Sequence, residues 1–149
     1  MSRASLRRLL PVLAVVPIPC VAAQQQGDDL AKLQGTWSLV SAERNGKKAP
    51  ADEVRKLRLT IDGSKFTLRR DSVVVSEGKF TLHPDRNPKE IDETMTGGPN
   101  KGKTFLAIYE VKTGEHRICF AAAGKKRPTS LSGATGTDQL LQVWKREGK

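Results

Sequence analysis

The chain has 149 residues, with 26 Lys and Arg against 16 Asp and Glu and a net charge of +10. Aromatic residues are only 5 % of it, too few for a row of stacking platforms, so nucleic acid is set aside as a partner despite the basic balance. The length is one domain's worth.

Residues 1–23 read as an export signal. Arg3, Arg7 and Arg8 form a basic head, Leu9 to Val16 is apolar apart from Pro11, and Val21-Ala22-Ala23 places small residues for a cut before Gln24. The apolar run is too short for a bilayer and is broken by Pro11, Pro17 and Pro19, so no membrane span is expected. Pro19 stands where lipoprotein processing needs a small residue, which argues against a lipid anchor on Cys20. The leader carries three arginines and no acid, so the mature chain keeps 23 basic against 16 acidic residues, a net +7. It also keeps one cysteine, Cys119, which excludes an internal disulfide. Within its apolar run Cys119 reads as a small buried hydrophobe. The expected location is periplasmic or extracellular.

Residues 24–29 read as a polar spacer, and Asp28 or Asp29 can cap a helical turn over Leu30–Leu33. A strand is expected over Thr36–Arg44, then a turn at Asn45-Gly46 and a helical turn after Pro50. Leu57, Leu59 and Ile61 alternate with polar residues up to Asp62-Gly63, and Phe66 and Leu68 alternate on the return, which makes a hairpin. Further strands are expected at Val73–Leu82, Lys89–Met95, Phe105–Val111, His116–Ala122 and Leu140–Arg146, with Gly78 marking a bulge or bend. Residues 124–138 form a long Gly/Ser/Thr/Lys loop. Eight short strands with short links predict an all-β fold over residues 30–147, an antiparallel up-and-down barrel of lipocalin-like form. Eight is also the number at which side chains fill the interior or leave room for one small ligand.

Several motifs together resemble a family. They are Leu33-Gln34-Gly35-Thr36-Trp37, Lys101-Gly102-Lys103-Thr104 leading into Ala107-Ile108-Tyr109-Glu110, Cys119, Gly124, Arg127-Pro128-Thr129, and Leu141-Gln142-Val143-Trp144-Lys145-Arg146. As a set they look like the small exported lipocalin-like domains of planctomycete bacteria. That resemblance implies a barrel and an exported location, and no established activity.

Catalytic signatures are weak. Gly97 to Thr104 spells G-x-x-x-x-G-K-T, but a strand-like run follows where a phosphate loop needs a helix, so a hairpin loop with solvated lysines is expected. His83 and His116 have no evident orienting partner, and with one Cys they offer no zinc spacing. Asp92 and Glu93 are adjacent, point to opposite faces of a strand, and read as solvated surface groups. Lys125-Lys126-Arg127 reads as solvated charge. No enzyme activity, cofactor or metal is expected.

The function this supports is an exported, non-catalytic binding module holding a small apolar or amphipathic ligand, with Phe66, Phe80, Phe105, Tyr109 and Phe120 lining the interior. The alternative is an envelope interaction or structural protein with a filled core, meeting an anionic envelope component through basic loops. Gly35, Trp37, Trp144 and Arg146 are expected to be structural: Trp37 plugs one barrel end, Arg146 or Lys145 lies across it, and Trp144 is partly exposed.

Overall fold

A computed structural model describes residues 21–148. Cys20 and the expected leader before it lie outside the described residues. Helix α1 (Val21–Leu33) leads into β1 (Gly35–Arg44), a two-residue return strand β2 (Lys47–Lys48) and the short helix α2 (Ala51–Val54). Then come β3 (Leu57–Asp62), β4 (Lys65–Arg70), β5 (Val73–His83), β6 (Glu90–Gly97), β7 (Thr104–Lys112), β8 (Glu115–Phe120) and β9 (Leu140–Arg146). From β3 to β9 each strand pairs antiparallel with the next, and β1 pairs with both β3 and β9. The eight long strands thus close an up-and-down barrel, with β2 appended to β1. Closure leaves the eight strands without a free edge.

Alternation decides the inside. Trp37 and Leu39, Phe80 and Leu82, and Ala107 and Tyr109 are buried at two-residue spacing, and Ile91 and Met95 at four, on four different strands. At Gly78, where the β5–β6 register shifts, the missing side chain admits the Phe66 ring. A Cβ there would lie 2.5 Å from that ring and 2.7 Å from the Thr94 carbonyl oxygen. The expected bulge is therefore present, and the glycine there makes room for an aromatic residue on the preceding strand, β4.

Several boundaries differ from expectation, most of them by one or two residues. The segment read as a polar spacer is helical, continuous with the turn through Leu33 and beginning at Val21, because alanines and glutamines favour a helix and Asp29, Leu30 and Leu33 dock it on the barrel. Strand β8 stops at Phe120, two residues early, and Ala121 and Ala122 begin the long loop.

The two barrel ends are built differently. At one, α1 lies across the opening. Trp37 is fully buried there, its indole N–H donating to the Leu33 carbonyl at 2.8 Å. The Arg146 guanidinium stacks over the Trp37 ring at 4.4 Å and donates to the carbonyls of Gln34 and Lys32. Gly35 has φ +108°, a conformation disfavoured for L side chains, and a Cβ there would lie 3.0 Å from that guanidinium. Asp29, 3 % exposed, accepts from Tyr109 Oη at 2.8 Å and from Lys89 Nζ at 2.7 Å. At the other end, where β1, β4, β6 and β8 terminate, the barrel is open.

Candidate functional site

The open end leads into a cavity of about 500 Å³ inside the barrel. Its wall is Leu59, Phe66, Leu68, Met95, Phe105, Ile118, Phe120, Leu140 and Trp144, and its mouth is formed by Arg44, Pro99, Asn100 and Ala123. The phosphate-loop-like stretch is the β6–β7 hairpin loop, followed by β7 and not by a helix. Its Pro99 and Asn100 serve as rim.

Of the five residues expected to line the interior, Phe66, Phe105 and Phe120 form the cavity wall. Phe80 and Tyr109 do not. They lie below the cavity, around a void of about 20 Å³ near α1. Both point inward as expected, but their positions on β5 and β7 are too far toward the closed end. Burial, with the hydrogen bond to Asp29, pushes the Tyr109 phenol pKa upward, so this hydroxyl is a fixed donor.

Three polar residues that were not expected there also line the cavity. Glu93 lies on β6 between Ile91 and Met95, so its side chain projects inward with them. Its cross-strand neighbours are Phe80 and Phe105, which offer no donor, and it has no hydrogen bond or ion pair among the described residues. The residue is half-buried, deep in the barrel, and its carboxyl faces the cavity. Burial alone pushes its pKa from 4.5 up to about 8. His116, on β8, is 4 % exposed, and its Nδ1 has no partner. The ring sits edge-on to Trp37 at 5.0 Å and is stacked with Trp144 at 6.2 Å. Desolvation, helped by the nearby Arg146 charge, lowers its pKa from 6.5 to about 3, so it is neutral at physiological pH. Gln142 accepts the Trp144 indole N–H at 3.2 Å. Glu93, His116, Leu59, Phe66 and Ile118 border both cavity and lower void, so they form the floor between them.

The signal for these residues was in the sequence. Glu93 interrupts Ile91-x-Glu93-x-Met95, Gln142 interrupts Leu140-x-Gln142-x-Trp144, and His116 starts His116-x-Ile118-x-Phe120. A polar residue in phase with inward apolar neighbours must point inward too. Reading Glu93 as a solvated group considered its neighbour Asp92 and not its phase.

Asp92 does face outward, but it is not free. It accepts from Arg127 at 2.6 Å and from His83 Nε2 at 3.1 Å. Burial works to raise its pKa, but those two hydrogen bonds outweigh it and hold the carboxyl below its ordinary value. Arg127 also donates to the carbonyls of Ala107 at 2.7 Å and Ile91 at 3.0 Å. It therefore bolts the 124–138 loop to the barrel wall and is not the solvated charge expected, and His83 does have a partner. The loop covers Cys119, which is fully buried and donates to the Ser132 carbonyl at 3.3 Å. A second recess of about 510 Å³ lies along this loop, but Lys89, Glu110, Lys112 and Arg117 line it, and no unpaired buried polar group points into it among the described residues.

Trp144 is 2 % exposed, so it is buried and not partly exposed as expected. Closure of β9 on β1 and β8 encloses it. Among the described residues no three His, Cys, Asp or Glu side chains converge as a metal site, and no helix is long and apolar enough to cross a membrane. No family profile, curated protein or solved structure matches the chain.

Proposed function

We propose that this is an exported, non-catalytic binding module of the planctomycete lipocalin-like kind, carrying a small amphipathic ligand in its barrel. One observation carries the reading: a largely apolar interior cavity of about 500 Å³, open at one end and backed by a rigid floor. That volume lies in the range of small-molecule sites, and a few polar groups in an apolar wall are their usual composition. Val73 and Val74, 64 % and 43 % exposed at the start of β5, give the same end an apolar rim. The open cavity favours this reading over the filled-core alternative.

Displaced acids and bases in a cavity also occur in enzymes. Here they lack a nucleophile to serve. The Ser76 hydroxyl is directed at Met95 Sδ at 3.4 Å, and Cys119 lies outside the cavity, under the loop. Native mass spectrometry of the protein purified from its own host tests the reading. A co-purifying small molecule, lost on substitution of Phe105 and Phe120 by Trp to fill the cavity, is the expected result. A co-purifying polymer or protein with an empty barrel overturns it.

A further inference from the structure

Among the described residues that line the cavity, Glu93 presents a carboxyl that no side chain or backbone group pairs. It is flanked on its own strand by Ile91 and Met95 and across the sheet by Phe80 and Phe105, so only cavity water can reach it. Beside it on the floor, His116 Nδ1 is buried with no partner. An apolar ligand would cover the carboxyl and leave it unpaired, which costs more than leaving it to water. An anionic ligand would meet the carboxyl directly.

We propose that the ligand is an organic cation: a compact apolar body bearing an ammonium group that seats on the floor against Glu93. The proposal rests on the cavity reading above and names the chemical class it takes. An ammonium group supplies three donors and the missing counter-charge in one step. Phe66, Phe105 and Trp144 line the same cavity and supply π-systems to which a desolvated cation is attracted. His116 stays neutral, so it does not repel the ligand.

The titratable groups facing the seat are few among the described residues. Arg44 of β1 is exposed at the mouth, where water screens it, His116 of β8 is uncharged, and Tyr109 of β7 is held below by Asp29. None of them neutralises an ionised Glu93. Because burial keeps free Glu93 largely protonated at pH 7, seating an ammonium group transfers its carboxyl proton to buffer and leaves a carboxylate–ammonium pair.

Calorimetric titration of the full chain at pH 7 with 1-aminoadamantane, 1-adamantanol and adamantane-1-carboxylate tests this, since the three share one shape and differ in charge. The amine is expected to bind about tenfold or more tighter than the alcohol, the carboxylate more weakly than either. Heats measured in buffers of different ionisation enthalpy should show release of close to one proton with the amine and none with the alcohol. Glu93→Gln, which removes the ionisable group, should abolish the proton release and the amine's advantage over the alcohol within the same variant. A circular dichroism spectrum and melting transition like the parent's certify that the variant is folded. An amine no tighter than the alcohol, or a preference that survives Glu93→Gln, overturns the cation proposal and leaves the cavity reading standing. Failure of all three probes overturns both.

Discussion

The closed end and the open end of this barrel use the same device, aromatic rings on neighbouring strands, to opposite effect. At the closed end Trp37 is packed on every side. Its N–H is satisfied by Leu33, its face is covered by Arg146, and α1 is tied down through Asp29, Tyr109 and Lys89. At the open end Phe105, Phe120 and Trp144 surround empty space, and the polar groups on the floor are left without partners. Polar satisfaction and tight packing go together at one end, and both are withheld at the other. Stability is therefore concentrated at the closed end and binding capacity at the open one, the distribution expected when a rigid element supports a site that breaks local rules.

Substituting the plug tests that contrast most severely. Trp37→Ala should destabilise the fold by roughly 3–5 kcal/mol, the range for emptying a buried aromatic site. Urea denaturation measures it. Trp144→Ala, equally buried but bordering an existing cavity, should cost at least about 1 kcal/mol less, because it extends a void that is already there. Equal costs for the two would erase the distinction between the ends.

The floor groups should leave a mark in the pH dependence of stability. Glu93 has a raised folded pKa, so its contribution is fullest below its unfolded value of 4.5 and is lost as pH rises through about 8. His116 has a depressed one, so its contribution is fullest above 6.5 and is lost as pH falls toward about 3. Between pH 4.5 and 6.5 the two slopes oppose each other. As far as these two groups govern it, stability should peak there, falling on the acid side through His116 and on the alkaline side through Glu93. The alkaline loss from pH 6 to pH 9 should be about 2 kcal/mol once cavity water is allowed for. Glu93→Gln should flatten the alkaline limb and leave the acid limb. An unchanged alkaline limb would mean that the carboxyl is solvated after all.

Arg127→Met should cost about 1–2 kcal/mol, since it leaves two carbonyls and Asp92 short of a donor at a partly exposed site. Hydrogen exchange should then quicken in the 124–138 loop and not in β1 or β9. The smallest effect is expected at the cavity wall. Phe105→Ala should change stability by about 1 kcal/mol, well below the value for a packed core phenylalanine, because its ring is only half-buried. It should weaken adamantanol binding measurably. A loss as large as that of Trp37→Ala would show that the mouth carries structural weight.

The hairpin signals were legible from local chemistry. Asp62-Gly63 between two alternating runs specified β3 and β4, and Gly78 marked its bulge. The pair Trp37 and Arg146 was legible too, because a barrel must bring its first and last strands together, and the two face each other across β1 and β9. Depth along a strand was not. Phe105 and Phe80 both face inward, yet one lines the cavity and the other the void below its floor, and that depends on strand tilt and stagger, which follow from closure.

By itself, then, the sequence determined the strands, their two-residue alternation and the closed antiparallel barrel, because a period of two and the conformations open to turn glycines are properties of a few neighbouring residues. Only the tertiary structure decided that Glu93 is an unpaired acid, that His116 is uncharged and that Arg127 is a bolt. Desolvation and charge pairing depend on what other strands bring to within a few ångströms, and closure brings together residues as distant in sequence as Asp29 and Tyr109, or Asp92 and Arg127.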